Sequence, residues 1–378
     1  MLKLIKNARV FAPADRGINH LLIAADRIVW LGPDLDELGL IRPVETLDLD
    51  GQRLIPGLVD GHAHLTGGGG EAGFGSRVPP VPPPHFLDAG ITTVVGVLGT
   101  DDSTRDTRSL VAQALSLREL GLNAWCHTGG YHLPPVTFTG SVRDDIVFLD
   151  PVIGVGEVAI SDHRSSQPTL NEILRLASDA HVAGLITGKA GILHLHLGDG
   201  ERGLDLVRRA LKKTELPARV FNPTHINRQK ALFEEALDLA RAGCTVDITA
   251  FPEEDGLSDE GWSADTALLR YLSSGAPPDK ITISSDGGGC LPCFNAQGEM
   301  LHYDNGHPAT LTDTLVRLLN NGEPLDKVLP AFTLNPARLL RFHDRGRIDI
   351  GSAADLVVLD ERHGIVKVMT QGNWRTNN

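Results

Sequence analysis

Cysteine is scarce, with four in 378 residues. Four cannot build the disulfide framework of a small secreted domain, so the expected compartment is the cytoplasm. No apolar run approaches the ~20 residues that span a bilayer. No basic run is present: 35 Lys and Arg against 48 Asp and Glu give a net charge of −13. That balance argues against nucleic acid or an anionic membrane as the main partner. Residues 1–10 alternate apolar and polar and lack the apolar core and cleavage site of a signal peptide, so they read as a strand. No internal repeat recurs at a fixed period. No Gly-x-Gly-x-x-Gly follows the first strand, which weakens a doubly wound sheet as the architecture. With 41% apolar and 22% charged residues, the composition is that of an ordered globular chain.

Glycine and proline, in contrast, are plentiful at 41 and 23, and they fall in short clusters that mark tight loops. The stretch holding residues 67–70 (all Gly) and the proline-rich 79–84 reads as a loop. From residue 54 onward, eight short apolar or β-branched runs occur at 54–64, 91–99, 123–131, 152–162, 191–199, 218–227, 244–251 and 281–286. Amphipathic stretches at 109–120, 170–183, 203–213 and 229–242 lie between several of them. Strands alternating with helices imply parallel βαβ units, and eight such units predict a (β/α)8 TIM barrel over residues 54–344. Residues 1–53 and 345–378 hold short strands instead (21–24, 27–31, 354–360, 364–370). Neither end can bury both faces alone. Their pairing into one small β-sandwich domain beside the barrel is expected.

The sharpest local signal is Gly57-Leu58-Val59-Asp60-Gly61-His62-Ala63-His64. Strand side chains alternate, so His62 and His64 point to one side at the C-terminal end of the first barrel strand. Barrel active sites lie at that end, and two imidazoles there are a ready metal clip. The fifth run ends His194-Leu195-His196-Leu197-Gly198-Asp199. His196 lies nearer the mouth and is the preferred ligand; His194 is a buried polar partner or a spectator. The sixth run presents His225 and the eighth presents Asp286 before a glycine loop. Singly, each is ordinary for a structural residue. Their shared placement at C-terminal strand ends carries the inference.

This order of ligands resembles the amidohydrolase superfamily. Further segments are similar to the isoaspartyl (β-aspartyl) dipeptidases: His64-Leu65-Thr66 with the four glycines and Glu71, Gly99-Thr100-Asp101, Thr128-Gly129-Gly130-Tyr131-His132, Ile160-Ser161-Asp162-His163-Arg164-Ser165, Thr224-His225-Ile226-Asn227-Arg228 and Ser284-Ser285-Asp286-Gly287. The resemblance implies two zinc ions per chain, with other divalent metals able to serve. His62, His64 and Asp286 would hold the more buried ion and His196 and His225 the outer one. A hydroxide and a carboxylate would bridge them. The carboxylate in much of the superfamily is a carboxylated lysine, and this sequence departs. Glu157 stands five residues before Asp162 with no lysine nearby, and the register suggests an extra residue near Gly156. A carboxylated Lys189 is the alternative bridge, but it precedes the fifth strand, at the wrong end of the barrel.

The implied reaction is hydrolysis of a β-aspartyl dipeptide, a small zwitterion. Asp286 would move the proton, and Tyr131 would donate to the developing oxyanion. Glu71 suits the substrate α-ammonium; Arg228 and Arg164 suit its two carboxylates. Thr100 adds a polar contact. Cys290 is a second departure, standing where the family places a serine. Cys290-Leu291-Pro292-Cys293 also spells Cys-x-x-Cys, read as incidental. Competing expectations are a hydrolase of cyclic amides or N-acyl amino acids on the same barrel, or a non-enzymatic scaffold. The resemblance also implies a homo-oligomer.

Overall fold

The computed structural model describes residues 2–38, 44–252, 261–295 and 297–375. Met1, the first residue of the predicted opening strand, and the last three residues of the expected terminal domain lie outside them. The eight predicted runs each contain a strand: β1 (Leu58–Ala63), β2 (Ile91–Gly96), β3 (Asn123–Thr128), β4 (Val152–Ala159), β5 (Leu193–His196), β6 (Phe221–Thr224), β7 (Val246–Thr249) and β8 (Ile281–Ser284). β1 to β6 form one parallel sheet in sequence order, and β7 pairs with β8 in parallel. This is the TIM-barrel fold. Backbone bonds close the ring between β8 and β1: the Asp286 N–H donates to the His62 carbonyl at 3.1 Å, and the His64 N–H to the Gly287 carbonyl at 2.8 Å. The β6–β7 seam relies on side chains, because Pro223 has no N–H to give. Asn222 Nδ2 donates to the Thr245 carbonyl (2.8 Å). Asn227 both donates to the Thr249 carbonyl (3.0 Å) and accepts its N–H (2.9 Å).

Helices Thr107–Glu119, Leu170–Thr187, Asp205–Lys213 and Lys230–Arg241 match the four amphipathic stretches. Leu170–Thr187 shows why. Thr169 and Glu172 cap each other's backbone N–H, and Gly188 ends the helix at φ 76°. Leu170, Ile173, Leu176, Ala177, Ala180 and Ala183 recur at helical spacing and are buried. The expected loop through residues 67–84 needs correcting at its end. Pro83 and Pro84 open a helix, Pro83–Asp88, because a proline in the first turn forfeits no intrahelical bond.

Strands from both ends of the chain share one eight-stranded sheet. Arg53–Pro56 pairs antiparallel with Leu356–Leu359, so residues at the head of the first predicted run belong to this sheet, and the barrel strand begins at Leu58. Ile5, Val10, Leu21, Ile23, Leu54, Leu356 and Met369 are among its buried core residues. The sheet is tied to the N-terminal side of the barrel. Asn123, at the start of β3, donates to Asp355 at 3.0 Å, and Arg345 bonds the same carboxylate. No helix among the described residues is long and apolar enough to cross a membrane.

Candidate active site

The site is assembled by an irregularity in β4. Val155 lies opposite Leu193, but Val158 lies opposite Leu195, so three steps on β4 face two on β5. The extra residue makes a bulge at Gly156 and Glu157, matching the register offset read from the sequence. Gly156 has φ 144°, and a Cβ there would stand 2.5 Å from the His194 carbonyl oxygen. Only glycine fits. The bulge delivers the Glu157 carboxylate into the barrel, where it is fully buried.

Four histidines and Asp286 converge on it. Glu157 Oε1 lies 3.4 Å from His64 Nε2; Oε2 lies 3.6 Å from His62 Nε2, 3.1 Å from His196 Nδ1 and 3.5 Å from His225 Nε2. Asp286 Oδ1 is 3.4 Å from His62 Nε2 and 3.1 Å from His64 Nε2. Three overlapping triads have donor atoms close enough to share a cation: His62–His64–Glu157, His62–His225–Asp286 and Glu157–His196–His225. His225 and Asp286 both take the left-handed backbone, at φ 60° and 52°. That conformation costs about 1–3 kcal/mol per residue and is characteristic of functional positions.

The donor set fits metal. His62 Nε2, Glu157 Oε1 and Asp286 Oδ1 are buried without a hydrogen-bond partner, a costly state unless a cation completes them. A second layer of bonds fixes the His62 tautomer. Asn222 spends its Nδ2 on Thr245, so its Oδ1 must accept from His194 Nδ1 (2.6 Å). Neutral His194 then accepts at Nε2 from His62 Nδ1 (2.7 Å). His62 Nδ1 therefore keeps its proton, and Nε2, aimed at the carboxylates, is the nitrogen that a cation would take in place of a proton. His194, left open between partner and spectator by the sequence, is thus a partner. His225 Nδ1 is likewise held by Thr249 Oγ1 at 2.6 Å.

Charge points the same way. Burial opposes an imidazolium at His62, yet Glu157 and Asp286 push its pKa up to about 9. Burial also opposes ionisation of Glu157, and His62, His196 and His225 nonetheless hold its carboxyl well below the usual range. Two buried anions therefore demand positive charge, which a divalent cation supplies.

A small cavity opens above the cluster, lined among others by Glu71, Thr100, Tyr131, Arg164, Arg228 and Cys290. All six residues expected from the sequence to contact substrate line this one cavity. Tyr131 Oη sits 2.8 Å from His196 Nδ1. Glu71 Oε1 accepts from Thr100 Oγ1 (2.9 Å) and Arg164 Nη1 (3.2 Å), while its Oε2 is buried and unpartnered. The Arg228 side chain makes no hydrogen bond or ion pair among the described residues, and its guanidinium lies over Phe251. Cys290 is half-buried and Cys293 exposed. Positions three apart on a strand face opposite ways, so the Cys-x-x-Cys does not converge. Lys189 Nζ donates to the carbonyls of Ile146 and Leu149, both at 2.7 Å, and takes no part in the cluster.

Asp162 was missed. Its carboxylate accepts from Arg164 Nε (3.0 Å) and Nη2 (2.7 Å), and its Oδ2 lies 3.0 Å from His196 Nε2. Burial works against its ionisation, but His196 and Arg164 hold its carboxyl far below the ordinary range. The signal was an acid two residues before Arg164 at the end of β4.

The amidohydrolase family pattern matches residues 53–375. The crystal structure of a β-aspartyl dipeptidase from Fervidobacterium islandicum AW-1, in complex with β-Asp-Leu, superposes with a TM-score of 0.94 at 43% identity. It covers 99% of this chain and 96% of that one. A second structure of a β-aspartyl dipeptidase from that organism gives 0.90 at 41% identity, with the same coverage. Imidazolonepropionase of Paracoccus denitrificans (strain Pd 1222) is 24% identical over 91% of this chain and 88% of its own. With its barrel, the family match and these relatives in agreement, the chain belongs to the amidohydrolase family.

Proposed function

We propose that the protein is a β-aspartyl dipeptidase working with two divalent cations, zinc being one that its imidazole and carboxylate donors suit. His62, His64 and Asp286 would hold one ion, His196 and His225 the other, with Glu157 shared between them. Bound there, the pair would lower the pKa of water and polarise a carbonyl. Everything else falls to the chain. Asp286 accepts the proton from the attacking water and returns it to the leaving amine. Burial and Glu157 raise the Tyr131 phenol well above its usual pKa, so it stays protonated as a donor for the oxyanion. Glu71, with its unpartnered Oε2, receives the α-ammonium. Arg228 receives the aspartyl α-carboxylate and Arg164 the C-terminal one. Thr100 orients Glu71. Four unpaired cysteines support a reducing compartment such as the cytoplasm.

The observation that carries this reading is the convergence of Glu71, Tyr131, Arg164 and Arg228 with His64, His196 and Asp286 on one small cavity. Such a pocket demands a ligand bearing both an amine and carboxylates. The metal-replete enzyme is assayed on β-Asp-Leu beside α-Asp-Leu, dihydroorotate, a hydantoin and an N-acyl amino acid. Hydrolysis of β-Asp-Leu in clear preference is expected. Turnover of a cyclic amide or N-acyl substrate without it would overturn the assignment.

A further inference from the structure

A second charged pair, Asp102 and His132, lies beside the cavity and touches none of the proposed metal ligands. Asp102, in the segment after β2, is buried. Its Oδ1 lies 2.9 Å from His132 Nδ1, and its Oδ2 accepts the His132 backbone N–H at 3.1 Å. The far side of the same ring, Nε2, lies 3.0 Å from the backbone carbonyl of Arg164, in the segment after β4. Gly130 makes room for this approach: a Cβ there would start 2.7 Å from the Asp102 Cβ. Three loops, each carrying a residue that lines the cavity (Thr100, Tyr131, Arg164), are thus drawn together at one imidazole.

The geometry fixes its protonation. A carboxylate and a carbonyl oxygen can only accept, so both ring nitrogens must donate. A neutral ring satisfies one contact and sets a lone pair against an oxygen at the other. We propose that Asp102 and His132 form a clasp that positions Arg164 for the substrate, and that it closes only while His132 carries both protons. Among the described residues, the charged and titratable groups facing the ring are Asp102, Arg164 and Asp162, with the Tyr131 ring 6.4 Å away. The hydrogen bond and charge of Asp102, against a smaller burial effect, raise the His132 pKa. The clasp is therefore closed at low pH and opens as pH rises through that raised value.

The proposal rests on the dipeptidase reading for its kinetic readout, and not for its structural one. Two variants of the metal-replete enzyme test it. His132→Gln keeps the backbone bond to Asp102, and so the Tyr131 segment, but loses the charged tether to Arg164. KM for β-Asp-Leu should rise about tenfold, the value of one charge-assisted hydrogen bond, with kcat within about threefold. Asp102→Asn should move the alkaline fall of kcat/KM to lower pH. NMR titration of the ring carbons, with His132→Gln identifying the resonance, should show His132 titrating above an ordinary histidine and falling back in Asp102→Asn. A wild-type ring that titrates no higher than free histidine would overturn the clasp, as would an unchanged KM in both variants. If β-Asp-Leu is not turned over at all, the dipeptidase reading fails while the ring titration still decides the clasp.

Discussion

Glu71 and Arg164 face each other across the cavity mouth, Oε1 to Nη1 at 3.2 Å, each with a tenth or less of its side chain exposed. Asp162 holds the other edge of the guanidinium with two bonds, so Arg164 is anchored rather than free. Glu71 keeps Oε2 unused. In the dipeptidase reading that oxygen meets the substrate ammonium. Glu71→Gln removes the charge and keeps the shape. We expect kcat/KM on β-Asp-Leu to fall about 30-fold, the value of one buried charge-assisted bond. The preference over the N-acetylated dipeptide should collapse with it. A variant that still discriminates against the acetylated substrate would remove Glu71 from this role.

In the two-metal reading, Glu157 provides the shared carboxylate without chemical modification. Removing carbon dioxide and bicarbonate during metal reconstitution is therefore expected to leave activity unchanged. Glu157→Gln should drop bound metal from two ions per chain to one or fewer, read by elemental analysis, with activity lost alongside. Reactivation that depends on bicarbonate would mean that a lysine carries the bridge instead.

Three buried histidines make the fold acid-sensitive once metal is removed. Burial, aided by neighbouring imidazoles, lowers the pKa of His127 and of His225 to about 3 and that of His194 well below its ordinary value. The unfolded chain takes up these protons near ~6.5, where the folded chain refuses them. Stability is therefore fully present above ~6.5 and lost as pH falls below it, by about 1.4 kcal/mol per pH unit for each histidine. His62 does not offset this, being protonated in both states there. Denaturant unfolding of the chelated protein at pH 5, 6 and 7 reads the slope. His127→Gln should reduce it by one proton, and an unchanged slope would contradict the assignment.

Cys290 lines the cavity beside Glu71, and burial pushes its thiol up to about 12, so it is neutral at working pH. A thiol is a weak donor. Cys290→Ser is expected to raise kcat/KM on β-aspartyl dipeptides by about threefold to tenfold, the worth of a modest hydrogen bond. A fall of that size instead would show the sulfur packing against substrate.

The barrel and its candidate ligands were legible because their signals are local. Most strand runs end in polar or glycine residues, and side-chain alternation alone puts His62 and His64 on one face. The bulge at Gly156 left a trace too, as a one-residue offset in the spacing. What sequence could not show are relations between distant segments. Asp162 matters because it bridges Arg164 and His196, and Asp102 because Gly130 lets it approach His132. His194 needed the Asn222 orientation, which depends in turn on a carbonyl of β7. The helix at Pro83 was hidden because proline signals a break everywhere except in a first turn.

The kink that carries Glu157 has a consequence for anyone transplanting this site. If two ions are held as proposed, then in a relative whose fourth strand runs without the additional residue, swapping lysine for glutamate would leave a short side chain stranded out of reach of both. The glycine and the lengthened strand must travel with the acid. Exchange between the two kinds of bridge therefore needs a coordinated change in backbone and side chain, and no single codon accomplishes it.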